Sequence, residues 1–131
     1  MAKMIHSMIR VLEEQRSVKF YDTAFGLKVA QRVDFDSFTL IYLSNGETGF
    51  ELELTVNKGT TEPYDLGNGY GHLAVSVADL AAEHARMKDA GLAPRDLKTL
   101  NAPDGGAARF FFIADPDGYL IEVLERSWRF L

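Results

Sequence analysis

The chain repeats itself, and that repeat confines it to a duplicated architecture. His6-Ser7-Met8-Ile9-Arg10-Val11 and His72-Leu73-Ala74-Val75-Ser76-Val77 each open on histidine and reach valine five residues later. Each run leads into a helix-like segment and then to Gly-Leu, at Gly26-Leu27 and Gly91-Leu92. Each copy closes on glycine, an aromatic, any residue, an aliphatic, glutamate and an aliphatic. These are Gly49-Phe50-Glu51-Leu52-Glu53-Leu54 and Gly118-Tyr119-Leu120-Ile121-Glu122-Val123. The step from histidine to glutamate is 47 residues in the first copy and 50 in the second. Two copies related by a pseudo-twofold would bring two imidazoles and two carboxylates together, a donor set suited to a borderline divalent ion.

At 131 residues the chain has the length of one domain. We expect one module over about 4–56, a linker over about 57–70 and a second module over about 71–126. Half a chain of this length is marginal alone, since a small unit buries too little of its surface. The net charge of −5 argues against a nucleic-acid surface. The absence of cysteine excludes disulfides, thiolate catalysis and Cys-ligated zinc. Met1 to Ile9 lacks the long apolar region of a signal peptide, and no apolar run is long enough to span a bilayer. A cytoplasmic location is the expectation.

Hydrophobic periodicity gives the order βαβββ twice. Strands are expected near 4–11, 27–33, 38–44 and 49–56, with a helix over 13–25 whose apolar residues are Val18, Tyr21 and Phe25. The second copy is expected to place strands at 71–77, 93–98, 108–114 and 119–125. Its helix, over 80–90, is N-capped by Asp79. Asp115-Pro116-Asp117-Gly118 reads as a turn. Repetition at this length points to a duplicated module, not to a many-repeat solenoid. The apolar tail Trp128-Arg129-Phe130-Leu131 is expected to pack on the body or on a partner.

Alternation along a strand sorts side chains between two faces. His6, Met8 and Arg10 share one face, opposite Ile9 and Val11. Glu51, Glu53, Thr55 and Asn57 share a face opposite Phe50, Leu52 and Leu54. Glu122 lies between Leu120 and Leu124, where a carboxylate is costly to bury unless it is paired or binds a metal. His72 shares its face with the small residues Ala74 and Ser76. A histidine at a strand start is commonly structural; the paired recurrence is what sets these four residues apart. His84, amid charges in a helix, reads as a surface residue, and Glu51 as solvated and near an edge. Met8, Phe110 and Phe112 read as core.

The runs His6–Val11, Glu53-Leu54-Thr55-Val56-Asn57, Tyr70-Gly71-His72-Leu73-Ala74 and Asp115–Glu122 make the chain resemble glyoxalase I (lactoylglutathione lyase) of the vicinal oxygen chelate superfamily. The match runs from His6 to about Glu125. It implies an α+β fold in which two tandem βαβββ modules form curved mixed sheets around a metal site. The implied ligands are His6, Glu53, His72 and Glu122, holding one divalent metal, with Ni²⁺ or Co²⁺ favoured and Zn²⁺ as the alternative. Related dioxygenases and epimerases use three ligands and lack the first glutamate. The implied reaction is isomerisation of the methylglyoxal–glutathione hemithioacetal to S-lactoylglutathione through an enediolate. Glu122 would be the principal base and Glu53 its metal-bound counterpart. Arg10 and Asn57 would contact glutathione. Compact bacterial members form homodimers with sites at the subunit interface.

One loop departs from the family pattern. Where the family often carries a lysine near the glycine carboxylate of glutathione, this chain reads Ala102-Pro103-Asp104-Gly105-Gly106-Ala107. Arg109 is the nearby cation that could substitute. The alternatives are another superfamily enzyme, an epimerase or a thiol transferase, and a metal-free protein that sequesters a ligand, as bleomycin-resistance proteins do.

Overall fold

A computed structural model describes all 131 residues. Two compact units divide the chain at Asp65/Leu66, and each repeats the same element order. In the first unit β1 (His6–Arg10) is followed by α1 (Glu14–Phe25), β2 (Lys28–Asp34), β3 (Phe38–Ser44) and β4 (Glu51–Asn57). In the second, β5 (Leu73–Val77) is followed by α2 (Leu80–Asp89), β6 (Lys98–Asn101), β7 (Ala107–Ala114) and β8 (Leu120–Glu125). The sheets run β1-β4-β3-β2 and β5-β8-β7-β6. In each, the first strand pairs in parallel with the last, and the other pairings are antiparallel. The expected α+β class with mixed sheets is therefore observed.

In the first unit the buried side of the sheet carries Ile9, Ile41, Leu43, Leu52 and Leu54. Helix α1 contributes Ser17, Phe20, Tyr21 and Ala24 to the core. Its buried stripe is thus shifted from the expected Val18-Tyr21-Phe25 line. Small Ser17 and Ala24 let the helix sit close, and only Tyr21 is common to both. The helix ends at Gly26, whose φ of 64° suits a residue without Cβ. In the second unit Phe111, Ile113, Ile121 and Val123 are fully buried with Leu80 and Met87 of α2. Asp79 caps α2 as expected, accepting a hydrogen bond from the Ala82 N–H at 3.0 Å.

Three expectations shift. The strand expected near 93–98 begins only at Lys98. Ala93 has a positive φ of 52°, which breaks extended pairing. The segment is pinned instead by the Arg95 N–H donating to the Phe112 carbonyl at 2.8 Å. His84 belongs to this anchor and is half-buried, not simply a surface residue: its Nε2 lies 2.9 Å from the Arg95 carbonyl, and its ring meets Phe111 edge-on at 5.0 Å. Glu51 is on an inner strand, because β4 lies between β1 and β3.

The Asp115-Pro116-Asp117-Gly118 turn owes its sequence to a buried carboxylate. Asp115 accepts from the N–H groups of Asp117 and Tyr119, each at 2.9 Å, and Gly118 takes a φ of 93°. The turn delivers β8, and with it Glu122, in a fixed register. No helix is long and apolar enough to cross a membrane.

Candidate metal and substrate site

Register shows how each histidine reaches its glutamate. Met8 pairs with Glu53 across β1 and β4, and Ala74 pairs with Glu122 across β5 and β8. Each histidine stands two residues before that partner, on the same face and diagonal to the carboxylate. His6 Nε2 lies 2.8 Å from Glu53 Oε2, and His72 Nε2 lies 3.6 Å from Glu122 Oε1. The two units therefore build the same two-donor arrangement independently. Ligands on a shared metal at about 2.0–2.1 Å each stand about 3 Å apart when adjacent, so both pairs have the spacing of neighbouring ligands. Within neither unit does a third histidine or carboxylate join the pair.

The neighbours of the two carboxylates differ. Across β3, Tyr42 is the register partner of Glu53; across β7, Phe112 is the register partner of Glu122. Both rings meet their unit's histidine edge-on, Tyr42 with His6 at 6.0 Å and Phe112 with His72 at 5.2 Å. Burial pushes the Tyr42 hydroxyl up from its ordinary pKa. The charges of Glu53 and Glu51 act in the same direction. Phe112, at the matching place beside Glu122, carries no hydroxyl. Glu53 is also the more enclosed, with 10% of its side chain exposed against 18% for Glu122.

The donors expected to meet substrate fall on the same face of the first sheet. Arg10 pairs in register with Thr55, and Asn57 with Phe38. Along β4 the order Glu53, Thr55, Asn57 therefore runs from the carboxylate toward the strand end, about 13 Å over four residues. The Asn57 amide donates to the Tyr64 hydroxyl at 3.1 Å, a partner the sequence did not suggest. Met8 is 38% exposed beside Glu53, so it is not core. Phe110 and Phe112 are only half-buried, on the Glu122 face.

The 102–106 loop is folded on itself. Asp104 accepts from the Gly106 N–H at 2.8 Å, and the Ala102 N–H donates to the Gly106 carbonyl at 2.8 Å. Trp128 lies over Gly106, where an ideal Cβ would stand 2.5 Å from the indole Nε1. Arg109 does not replace the missing lysine. It shares a face with buried Phe111, opposite Glu122, and its Nη1 donates to Glu125 at 2.6 Å. The basic side chain on the Glu122 face of the β5–β8 sheet is Lys98, in register with Phe110. It escaped sequence reading because its strand was expected to end where it begins.

Comparison with known proteins agrees with this arrangement. Residues 3–123 match the family model of the glyoxalase/bleomycin resistance protein/dioxygenase superfamily. A lactoylglutathione lyase of Neisseria meningitidis is 36% identical over 129 residues, covering 95% of this chain and 91% of that protein. A probable lactoylglutathione lyase of Synechocystis is 34% identical over 128 residues, covering 95% of each. Among solved structures, the trypanothione-dependent glyoxalase I of Leishmania major superposes with a TM-score of 0.76 at 35% identity, covering 95% of this chain and 87% of that one. With a repeated βαβββ scaffold, a histidine–glutamate pair in each repeat and relatives that match it nearly end to end, the chain belongs to the glyoxalase/bleomycin resistance protein/dioxygenase superfamily and, within it, to the lactoylglutathione lyases.

Proposed function

We propose that this protein is a glyoxalase I, converting the hemithioacetal of methylglyoxal and glutathione to S-lactoylglutathione and so removing methylglyoxal. The observation that carries the reading is the diagonal histidine–glutamate pair, built the same way in both units. His6, Glu53, His72 and Glu122 are the residues that would hold one divalent metal. Imidazole and carboxylate donors without thiolate suit Ni²⁺ or Co²⁺, with Zn²⁺ as the alternative. Such an ion supplies positive charge that stabilises the substrate oxygens while an adjacent carbon loses its proton.

The side chains divide the remaining work. Glu122 takes the C1 proton of the hemithioacetal and delivers a proton to C2, so the reaction is an isomerisation with no net proton change. Glu53, the more enclosed of the two, stays in place as a ligand. Arg10 can meet a carboxylate of the thiol peptide through two parallel hydrogen bonds. Asn57 keeps one amide N–H and its carbonyl oxygen for the peptide backbone, since Tyr64 uses a single donor. Because the protein is net acidic, attraction for an anionic thiol must be local, and Lys98 adds a cation on the Glu122 face. Each unit brings two donors, and four are completed by pairing the two kinds of unit, in this reading across a homodimer interface. The cytoplasm is the proposed compartment.

The test is thioester formation from methylglyoxal and glutathione by protein stripped with chelator and reloaded with Ni²⁺, Co²⁺ or Zn²⁺. Activity should return with metal. A protein that binds no divalent ion and gains no activity on reloading would sink the proposal. Trypanothione should be run in parallel, because the Leishmania relative uses it and this chain lacks a lysine in the 102–106 loop.

A further inference from the structure

We infer that Tyr64, in the irregular segment after β4, is a positioning residue that holds the Asn57 side chain ready for the peptide part of the thiol substrate. The inference rests on the proposed contact between Asn57 and that peptide, and adds the residue that prepares it. Asn57 ends β4. The chain then turns back: Gly59 takes a φ of 88°, and the Thr60 N–H donates to the Asn57 carbonyl at 3.4 Å. From Lys58 to Asp65 every residue is exposed except Tyr64, which is half-buried. No helix or strand holds this segment. Its one residue that turns inward places its hydroxyl 3.1 Å from the Asn57 amide nitrogen, which donates to it.

That hydrogen bond matters because the last torsion of an asparagine side chain is soft, so an unheld amide swings over a wide range. The amide carries two N–H donors and a carbonyl oxygen. With one N–H on the Tyr64 hydroxyl, the second N–H and the oxygen are left, and a peptide group offers one acceptor and one donor to match them. A hydroxyl both accepts and donates, so Tyr64 can hold the amide plane whichever end the ligand calls for. Arg10 belongs to the same end of the sheet. It pairs with Thr55, two residues short of Asn57, the offset that also separates His6, paired with Glu51, from Glu53. A guanidinium suited to a carboxylate and a held amide suited to a peptide group thus stand diagonally on one face. The next cation along the chain, Lys58, is engaged elsewhere, with the Phe35 carbonyl and Asp34.

Tyr64→Phe tests this, alone and in an Asn57→Ala background, in protein saturated with Ni²⁺. The readouts are kcat and KM for the methylglyoxal–glutathione hemithioacetal, the Kd of the unreactive thioether S-methylglutathione by calorimetry, and melting temperature. Tyr64→Phe should raise KM and that Kd about threefold to tenfold, the net worth of one hydrogen bond, with kcat and melting temperature kept. Asn57→Ala should raise both at least as much. Once Asn57 is gone, Tyr64→Phe should add nothing, because its effect passes through the amide. A Tyr64→Phe protein within twofold of the parent in both KM and Kd would overturn the inference. So would an equal effect in both backgrounds, which would mark Tyr64 as a direct contact or a mere loop anchor. The two levels separate: a parent protein that neither turns over the adduct nor binds S-methylglutathione overturns the proposed function, whereas an active parent with a neutral Tyr64→Phe overturns only the role of Tyr64.

Discussion

His6 Nε2 and Glu53 Oε2 stand 2.8 Å apart although the two residues are not register partners. The imidazole crosses diagonally over the sheet, past exposed Met8, to reach the carboxylate. A proton and a divalent ion compete for the same nitrogen lone pair and the same carboxylate oxygen. Metal content should therefore fall as the solution is acidified, since binding requires neutral histidine and ionised glutamate. Equilibrium dialysis against Ni²⁺ at mildly acidic and mildly alkaline pH checks this; equal occupancy at both would mean that these side chains are not ligands.

The glutamates should fail differently. Glu122→Gln removes the base and should cost about 10²–10⁴-fold in kcat, the span of general acid–base contributions, while the protein stays folded. Glu53→Gln should show first as lost metal affinity. Steady-state rates with metal analysis of the same samples give both quantities, and equal behaviour of the two variants would contradict the division of roles.

Lys98 should matter for substrate and not for metal. It is exposed, on the Glu122 face, with Arg109 turned to the opposite side and paired with Glu125. Lys98→Ala should raise KM for the thiol adduct several-fold with kcat and metal content retained. Arg109→Ala should leave KM unchanged, and a KM effect confined to Arg109→Ala would show that the cation was assigned to the wrong side chain.

Gly106 should accept a side chain only if the Trp128 ring moves. Its Cβ would overlap the Trp128 indole, so Gly106→Ala must push the ring aside. Because Trp128 is itself 41% exposed, the ring can turn toward solvent, and the cost should be about 1 kcal/mol, at the low end of what overpacking a closed core brings. Because the chain has one tryptophan, the displacement should appear as a changed emission spectrum together with a lowered melting temperature. An unaltered spectrum would mean that the indole does not rest there in solution.

The acid side of stability should depend on Asp34. Hydrogen bonds from Lys58 and Thr39 hold its carboxyl below the usual range, with the Lys58 and Arg32 charges acting the same way. A carboxyl lowered by folding contributes stability that is present above the unfolded-state pKa, about 3.9, and is lost as pH falls through the lower folded value. Asp34→Asn should remove that part of the acid limb and leave the neutral-to-alkaline limb unchanged in slope. Urea midpoints across pH measure it.

Sequence reading recovered what period-two alternation controls and little of what long-range register controls. His6, Arg10, Glu53, Asn57 and Glu122 could each be assigned to a face because neighbouring residues in one strand decide it. The same rule, applied to β7, would have turned Arg109 away from Glu122, since it shares parity with Phe111. Tyr42 and Lys98 needed more: their places follow from which strands are neighbours and in what register, and no local pattern contains that. The start of β6 was missed because Ala93 takes a conformation usually left to glycine. The stripe of α1 was misread because Ser17 and Ala24 bury by being small, not by being greasy.

The Tyr42/Phe112 difference also bears on how such a site could arise. A pair of identical single-repeat chains must present the same residue beside both carboxylates, because one codon writes both. Once the repeats are joined in tandem, each copy can change without its twin. The surroundings of two like-placed acids can then diverge one residue at a time, and scaffold symmetry can persist after the side chains around it have become unlike.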